Sequence, residues 1–192
     1  MRYTWCLFLL MTVSCTAREE DASSITTPDP TVYNFVPADQ YTINQIVLYQ
    51  GKNGAVRHPD ESFIGTVWNG YSDPPYASIS INPEVNEMEV RQDKLSLKYS
   101  IRISGDSIFR KQDENLIAIF ADQRQQLTLK KSFYYILKVL PDQGFSFSRM
   151  TKLGATVHQD VFRVNTFPDP DYMVAGDEVF WANLSFMYRR AE

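Results

Sequence analysis

From residue 41 to the end of the chain, apolar residues recur mostly at every second position. The clearest run is 94–104. There Leu95, Leu97, Tyr99, Ile101 and Ile103 alternate with Lys94, Ser96, Lys98, Ser100, Arg102 and Ser104. Successive side chains of a strand point to opposite faces, so this pattern predicts an antiparallel strand with one buried and one wet face. Gly105-Asp106 then reads as a turn into 107–110. Similar runs cover 31–36, 41–50, 63–68, 77–82, 116–121, 126–130, 145–150, 156–165 and 178–188. Gly51, Gly54, Gly70, Gly144, Gly154 and Gly176 fall between these runs or at their edges.

One segment fits two patterns. Ser132 to Leu140, SFYYILKVL, places Phe133, Ile136, Leu137 and Leu140 on one side of a helix. Its β-branched and aromatic content favours a strand, and Pro141 to Gly144 supplies a turn. We expect a strand. Many short strands and no convincing alternation with helices predict an all-β fold: a single antiparallel β-sandwich or β-barrel of about ten strands, spanning 40–192. The 12 Phe, 11 Tyr and 3 Trp point the same way, because aromatics favour pleated, half-buried positions.

The first residues have another character. Arg2 is followed by WCLFLLMTV, an uncharged run from Trp5 to Val13. Crossing a bilayer takes about 20 apolar residues, so this run is too short to span and fits the apolar region of a secretory signal. A short buried N-terminal strand or helix is the alternative. Thr12-Val13-Ser14-Cys15 resembles the lipobox of bacterial lipoproteins, with a departure at Thr12, where that family usually has Leu. The resemblance implies a signal peptide over 1–14, cut before Cys15, and a diacylglycerol on the Cys15 thiol. Cys6, the other cysteine, would leave with the signal; a Cys6–Cys15 disulfide is the rival reading. Two acyl chains give stable anchoring where one is marginal.

Arg18-Glu19-Glu20-Asp21 resembles the surface-export signal of Bacteroidetes-type lipoproteins. The alternative is a solvated tether. Ser, Thr and Pro28, Pro30 and Pro37 block a helix across the following stretch, so 15–39 is read as lipidated cysteine and flexible tether. The resemblance implies an outer-membrane, lipid-anchored protein facing the cell exterior.

Charge and motif content narrow the chemistry. With 23 acids against 19 bases and no long basic run, the chain lacks a nucleic-acid footprint. His58 and His158 are the two histidines, and no spacing of His, Cys and carboxylates suggests a metal site. No nucleophile elbow or phosphate-cradling loop appears, and no cofactor is expected. Paired carboxylates acting on a glycoside stay open, because such a pair is set only in three dimensions. Asp169, Asp171, Asp177 and Glu178 suggest calcium, but EF-hand spacing is not met.

Two aromatic-rich loops stand out. Trp68, Asn69, Tyr71, Asp73 and Tyr76 lie in WNGYSDPPY, and Phe167 and Tyr172 lie in FPDPDY. A flat aromatic beside an amide or carboxylate suits a sugar ring, which stacks through its C–H face and hydrogen-bonds through its hydroxyls. The alternative is that Trp68, Tyr76 and Phe167 cap the core. Phe63-Ile-Gly-Thr-Val-Trp68 also resembles the Gly-x-Trp strand that opens lipocalin-like (calycin-like) barrels, with one residue too many. The expectation is a binding module for a glycan, a small ligand or an envelope protein partner. The alternatives are a structural or accessory subunit of a surface assembly and, third, a hydrolase.

Overall fold

The computed structural model describes residues 32–71, 75–141, 144–157, 162, 167 and 169–192, without the side chains of 39, 40, 61 and 68–71. Cys15, its flanking signal and the acidic cluster lie outside the described residues. The described residues form ten strands: β1 (Tyr33–Gln50), β2 (Ala55–Arg57), β3 (Ser78–Asn82), β4 (Glu87–Gln92), β5 (Leu95–Ser104), β6 (Ser107–Arg110), β7 (Asn115–Ala121), β8 (Gln126–Leu140), β9 (Gly144–Leu153) and β10 (Glu178–Arg190). The helix α1 (Glu61–Tyr71) lies between β2 and β3.

Antiparallel pairing runs β1–β3–β4–β5–β6–β7–β8–β10 and returns from β10 to β1, closing an eight-stranded barrel. The fold is therefore the all-β barrel, not the sandwich. Closure leaves those strands without a free edge over the paired region. β1 begins at Tyr33, and Tyr33 and Phe35 are buried, so the domain starts ahead of residue 40. Pro37 is accommodated at a register shift in β1, where its missing N–H disturbs no regular ladder.

The barrel interior follows from the alternation. On β10, Phe180, Ala182, Leu184, Phe186 and Tyr188 face inward; on β8, Leu127, Leu129 and Phe133 do so. Ile79, Ile81, Met88, Val90, Ile101, Ile108 and Phe120 fill the remaining volume. Eight strands enclose a space that side chains can fill, and here they do. The expected inward set of β5 holds at Ile101, which is fully buried, and at half-buried Tyr99. Leu97 shares their face but is 38% exposed, because it lies beyond the packed centre.

β8 and β10 carry a second cluster on their outer faces. Tyr49, Tyr134, Ile136, Phe162, Phe167, Met173, Val179 and Trp181 pack there. Both faces of these two strands are therefore buried. That is why SFYYILKVL shows no alternation, although it is strand throughout. Gly54 lets the outer layer close: a Cβ there would sit 2.5 Å from Pro170 Cβ, and its φ is +56°.

Two expected strands are corrected. Residues 63–68 belong to α1. Asp60 Oδ1 accepts a hydrogen bond from the Phe63 N–H at 2.7 Å, a helix N-cap, and Phe63, Ile64 and Val67 then face the barrel core. Phe63 packs on Phe180 with ring centroids 5.7 Å apart. The strand that carried the lipocalin-like resemblance is thus a helix. At the start of 156–165, Thr156 and Val157 form no strand; 158–161 and 163–165 lie outside the described residues. β2 and β4 were not anticipated.

Candidate functional site

The two edges of β8 set up a cleft. One edge pairs with β10 along its whole barrel length. The other pairs first with β7, at Gln126–Leu129, and then with β9, from Lys131 onward. β9 therefore stands above β7 on the same edge. Where one gives way to the other, the β6–β7 turn faces the end of β9. A cleft of about 950 Å³ opens there, lined by Tyr76, Leu97, Tyr99, Arg110, Gln112, Asp113, Asn115, Tyr134, Thr151, Lys152, Leu153 and Thr156.

Its floor is held by the backbone. The Gly154 N–H donates to the Lys130 carbonyl at 2.7 Å, and the Ala155 N–H to the Leu116 carbonyl at 2.9 Å. At Gly154 φ is +108°, which favours glycine, and a Cβ there would also press on the Asn115 side chain at 2.9 Å.

A buried polar network fixes the side of the cleft formed by Tyr134 and Thr156. The Thr156 hydroxyl lies 2.9 Å from Ser132 Oγ and 2.6 Å from the Tyr134 hydroxyl, and accepts from Trp181 Nε1 at 3.2 Å. The Ser132 hydroxyl is 2.7 Å from Asn183 Oδ1 and 2.8 Å from the Gly154 carbonyl, and its single proton serves one at a time. Asn183 Oδ1 also accepts from the Thr156 N–H at 3.2 Å, while Asn183 Nδ2 donates to the Thr156 carbonyl at 3.1 Å and to Gln45 Oε1. Gln45 reaches this amide because β1 bulges there: its φ is +51°, and the register shifts between Asn44 and Val47.

On the facing wall, Arg110 grips Asp113 through two parallel bonds, Nε to Oδ1 at 2.9 Å and Nη2 to Oδ2 at 2.6 Å. The Arg110 guanidinium beside it holds the Asp113 carboxyl below its ordinary value, against burial, which raises it. Hydrogen bonding to Asp113 raises the Arg110 value in turn. Lys152 Nζ sits 5.6 Å from the Tyr134 ring centroid. Behind Tyr76, on the barrel side, Lys131 is 2% exposed, with Nζ 4.0 Å from the Tyr76 ring centroid and 5.3 Å from that of Phe186. The Tyr188 hydroxyl is buried beside the Tyr76 backbone and lacks a hydrogen-bond partner among the described residues; burial raises its pKa.

Of the sequence-predicted site residues, the three whose side chains are described, Tyr76, Phe167 and Tyr172, do not converge. Tyr76 lines the cleft. Phe167 is a correction: it is 3% exposed inside the outer cluster with Tyr49 and Trp181, so its ring offers no face for stacking. Tyr172 is exposed, on the short helical turn Pro170–Tyr172. Trp68, Asn69 and Tyr71 lie on α1 with side chains outside the described set, and Asp73 lies outside the described residues. The proposed acidic group is used structurally: Asp177 Oδ1 accepts from the Val139 N–H at 2.7 Å and Oδ2 from the Val174 N–H at 2.6 Å. Among the described residues, no three His, Cys, Asp or Glu side chains gather as metal ligands. His58 is exposed, and His158 lies outside the described residues.

Sequence reading missed Tyr99, Arg110, Asp113, Asn115, Tyr134 and Lys152 as site residues. Arg110 and Asp113 flank a turn at a spacing suited to a local ion pair, which was a usable signal. Their meeting with β9 was not visible. No protein-family model, curated protein or solved structure matches this chain.

Proposed function

We propose that this is a lipid-anchored cell-envelope protein, surface-exposed on the outer membrane, whose barrel binds a glycan or similar small polar ligand in the cleft beside β9. The cleft carries the binding reading. It sets Tyr76, Tyr99 and Tyr134 among two amides, hydroxyls and an ion pair, and a mix of aromatic bodies and a few placed polar groups is what a ligand site needs. The lipobox-like Thr12–Cys15 sequence supports the anchor, and the acidic cluster after it supports the outward face. Binding is favoured over hydrolysis because Asp113, the one carboxylate of the lining among the described residues, is tied to Arg110 and held ionised. A general acid or base works best near the operating pH.

The experiment is a glycan array with the wild-type protein and Tyr99→Leu. That change keeps the apolar body and removes the ring. We expect retained thermal stability and loss of the wild-type signal; an unchanged signal would remove the cleft from the reading. For the anchor, Cys15→Ser should leave the precursor uncut or release the protein from membranes. An intact chain with an unmodified Cys15 thiol, seen by mass spectrometry, would contradict it.

A second reading, a structural or accessory subunit of a surface assembly, is favoured by β9. Among the described residues this ten-residue strand pairs with β8 only. Phe145 and Phe147 on it are 67% and 50% exposed. Such an edge can accept a partner strand. Phe145→Ser/Phe147→Ser would then weaken co-purification with an envelope partner while leaving glycan binding intact.

A further inference from the structure

The chain as a whole is acidic, with a formal net charge of −4. Among the described residues, the lining of the cleft holds two cations, Arg110 and Lys152, against one carboxylate, Asp113. We propose that the cleft takes a carboxylate-bearing sugar, a uronate-type glycan, in preference to a neutral one. This rests on the cleft being the glycan site.

Three features carry the inference. First, Arg110 spends two N–H groups on Asp113, one from Nε and one from Nη2. A guanidinium has five, so three are left to meet a second carboxylate in the same plane. The Asp113 clamp fixes that plane, and the Arg110 side chain is only 20% exposed, so little rotamer freedom is lost when a ligand arrives. Second, Lys152 makes no ion pair among the described residues; its ammonium sits over the Tyr134 ring at the lip of the cleft. Third, a cation already occupies one face of Tyr76, 4.0 Å from the centroid. It draws on the same π density that a neutral sugar's C–H groups would use from the other side. Tyr76 is thus a weaker stacking platform for a neutral ring than composition suggests.

Coulomb attraction in a partly enclosed cleft outlasts that at an open surface, but salt still screens it. The test is isothermal titration of the full chain in detergent with two probes, a trisaccharide of galacturonic acid and one of galactose. We expect the acidic probe to bind about tenfold more tightly at low salt, and the preference to shrink as salt approaches about 1 M, where the screening length is near 3 Å. Lys152→Gln should narrow the preference, and Lys152→Arg should restore it. Equal or tighter binding of the neutral probe would overturn the inference and leave the glycan cleft standing. Binding of neither, together with a blank array, would overturn both. A preference unchanged by salt and by Lys152→Gln would also overturn it, since the acid would then be recognised elsewhere.

Discussion

Asn183→Ala is the sharpest perturbation of the barrel wall behind the cleft. Asn183 is 5% exposed, and its amide makes four contacts: from Ser132 and the Thr156 N–H to Oδ1, and from Nδ2 to Gln45 and the Thr156 carbonyl. Not all of these losses cost the same. Ser132 keeps the Gly154 carbonyl as an acceptor, and Gln45 is exposed, so its amide turns to water. The Thr156 backbone N–H and C=O are left stranded under the outer layer. Each stranded group costs about 1–3 kcal/mol if it stays dry, and half-burial of the segment allows some rehydration, so the sum should be about 2–4 kcal/mol. A domain of this size has about 5–15 kcal/mol in total. With a urea slope of about 1–3 kcal/mol/M, the midpoint should fall by about 1–2 M. Tryptophan fluorescence reports it directly, because Trp181 Nε1 donates to the same Thr156 hydroxyl. Asn44→Ala is the control: it removes one 3.3 Å bond to Ser185 from an exposed residue and should cost under about 0.5 kcal/mol. Equal effects of the two changes would refute the claim that the network holds residues 154–156 to the barrel.

The remaining predictions concern the sheet. Ile101→Ala empties a fully buried site and should cost about 2–5 kcal/mol, whereas Leu97→Ala, at the cleft, should cost well under half as much; chemical denaturation of the two variants separates them. Glu89 is held at a pKa of about 2 by hydrogen bonds from Arg91 and then Ser96. Its folded value lies below the unfolded one, so its contribution is complete above the ordinary carboxylate range and disappears as pH falls through about 2. A carboxyl NMR titration should find that midpoint, and Arg91→Ala should raise it; an ordinary midpoint in the wild type would show that the pair does not persist in solution.

How far the sequence discloses the molecule depends on how many faces of each element are buried. β5 is readable because one of its faces is wet: Lys98 and Arg102 are exposed while Ile101 is buried. β8 is ambiguous because Phe133 packs inside the barrel and Tyr134 packs outside it, which erases the alternation. α1 is misread for the opposite reason. Phe63, Gly65 and Val67 alternate by accident, and the N-cap at Asp60 passes for a polar loop residue. Barrel closure depends on β10 pairing with β1, a contact between the two ends of the domain that no local pattern encodes.

The site is less legible still. Tyr76 was visible as an aromatic among turn formers. Its functional setting comes from Lys131 on a distant strand, and a lysine inside an apolar run looks like a solvent-facing residue until the register is known. Phe167 misled because a Pro- and Asp-rich loop suggests exposure. Here the loop folds back over β8 and β10 and buries its one apolar ring. Arg110 and Asp113 sit three residues apart along a turn, but the wall they face is β9, some forty residues on.

The central claim is that ligand enters between the β6–β7 turn and the end of β9. Amide chemical-shift mapping with the oligosaccharide that the array selects tests it most directly. The account predicts perturbations concentrated at Tyr76, Asn115, Thr151, Lys152 and Thr156, which line the cleft from separate parts of the chain. Perturbations confined to the turn around Tyr172, or to Phe145 and Phe147, with those five amides unmoved, would contradict it.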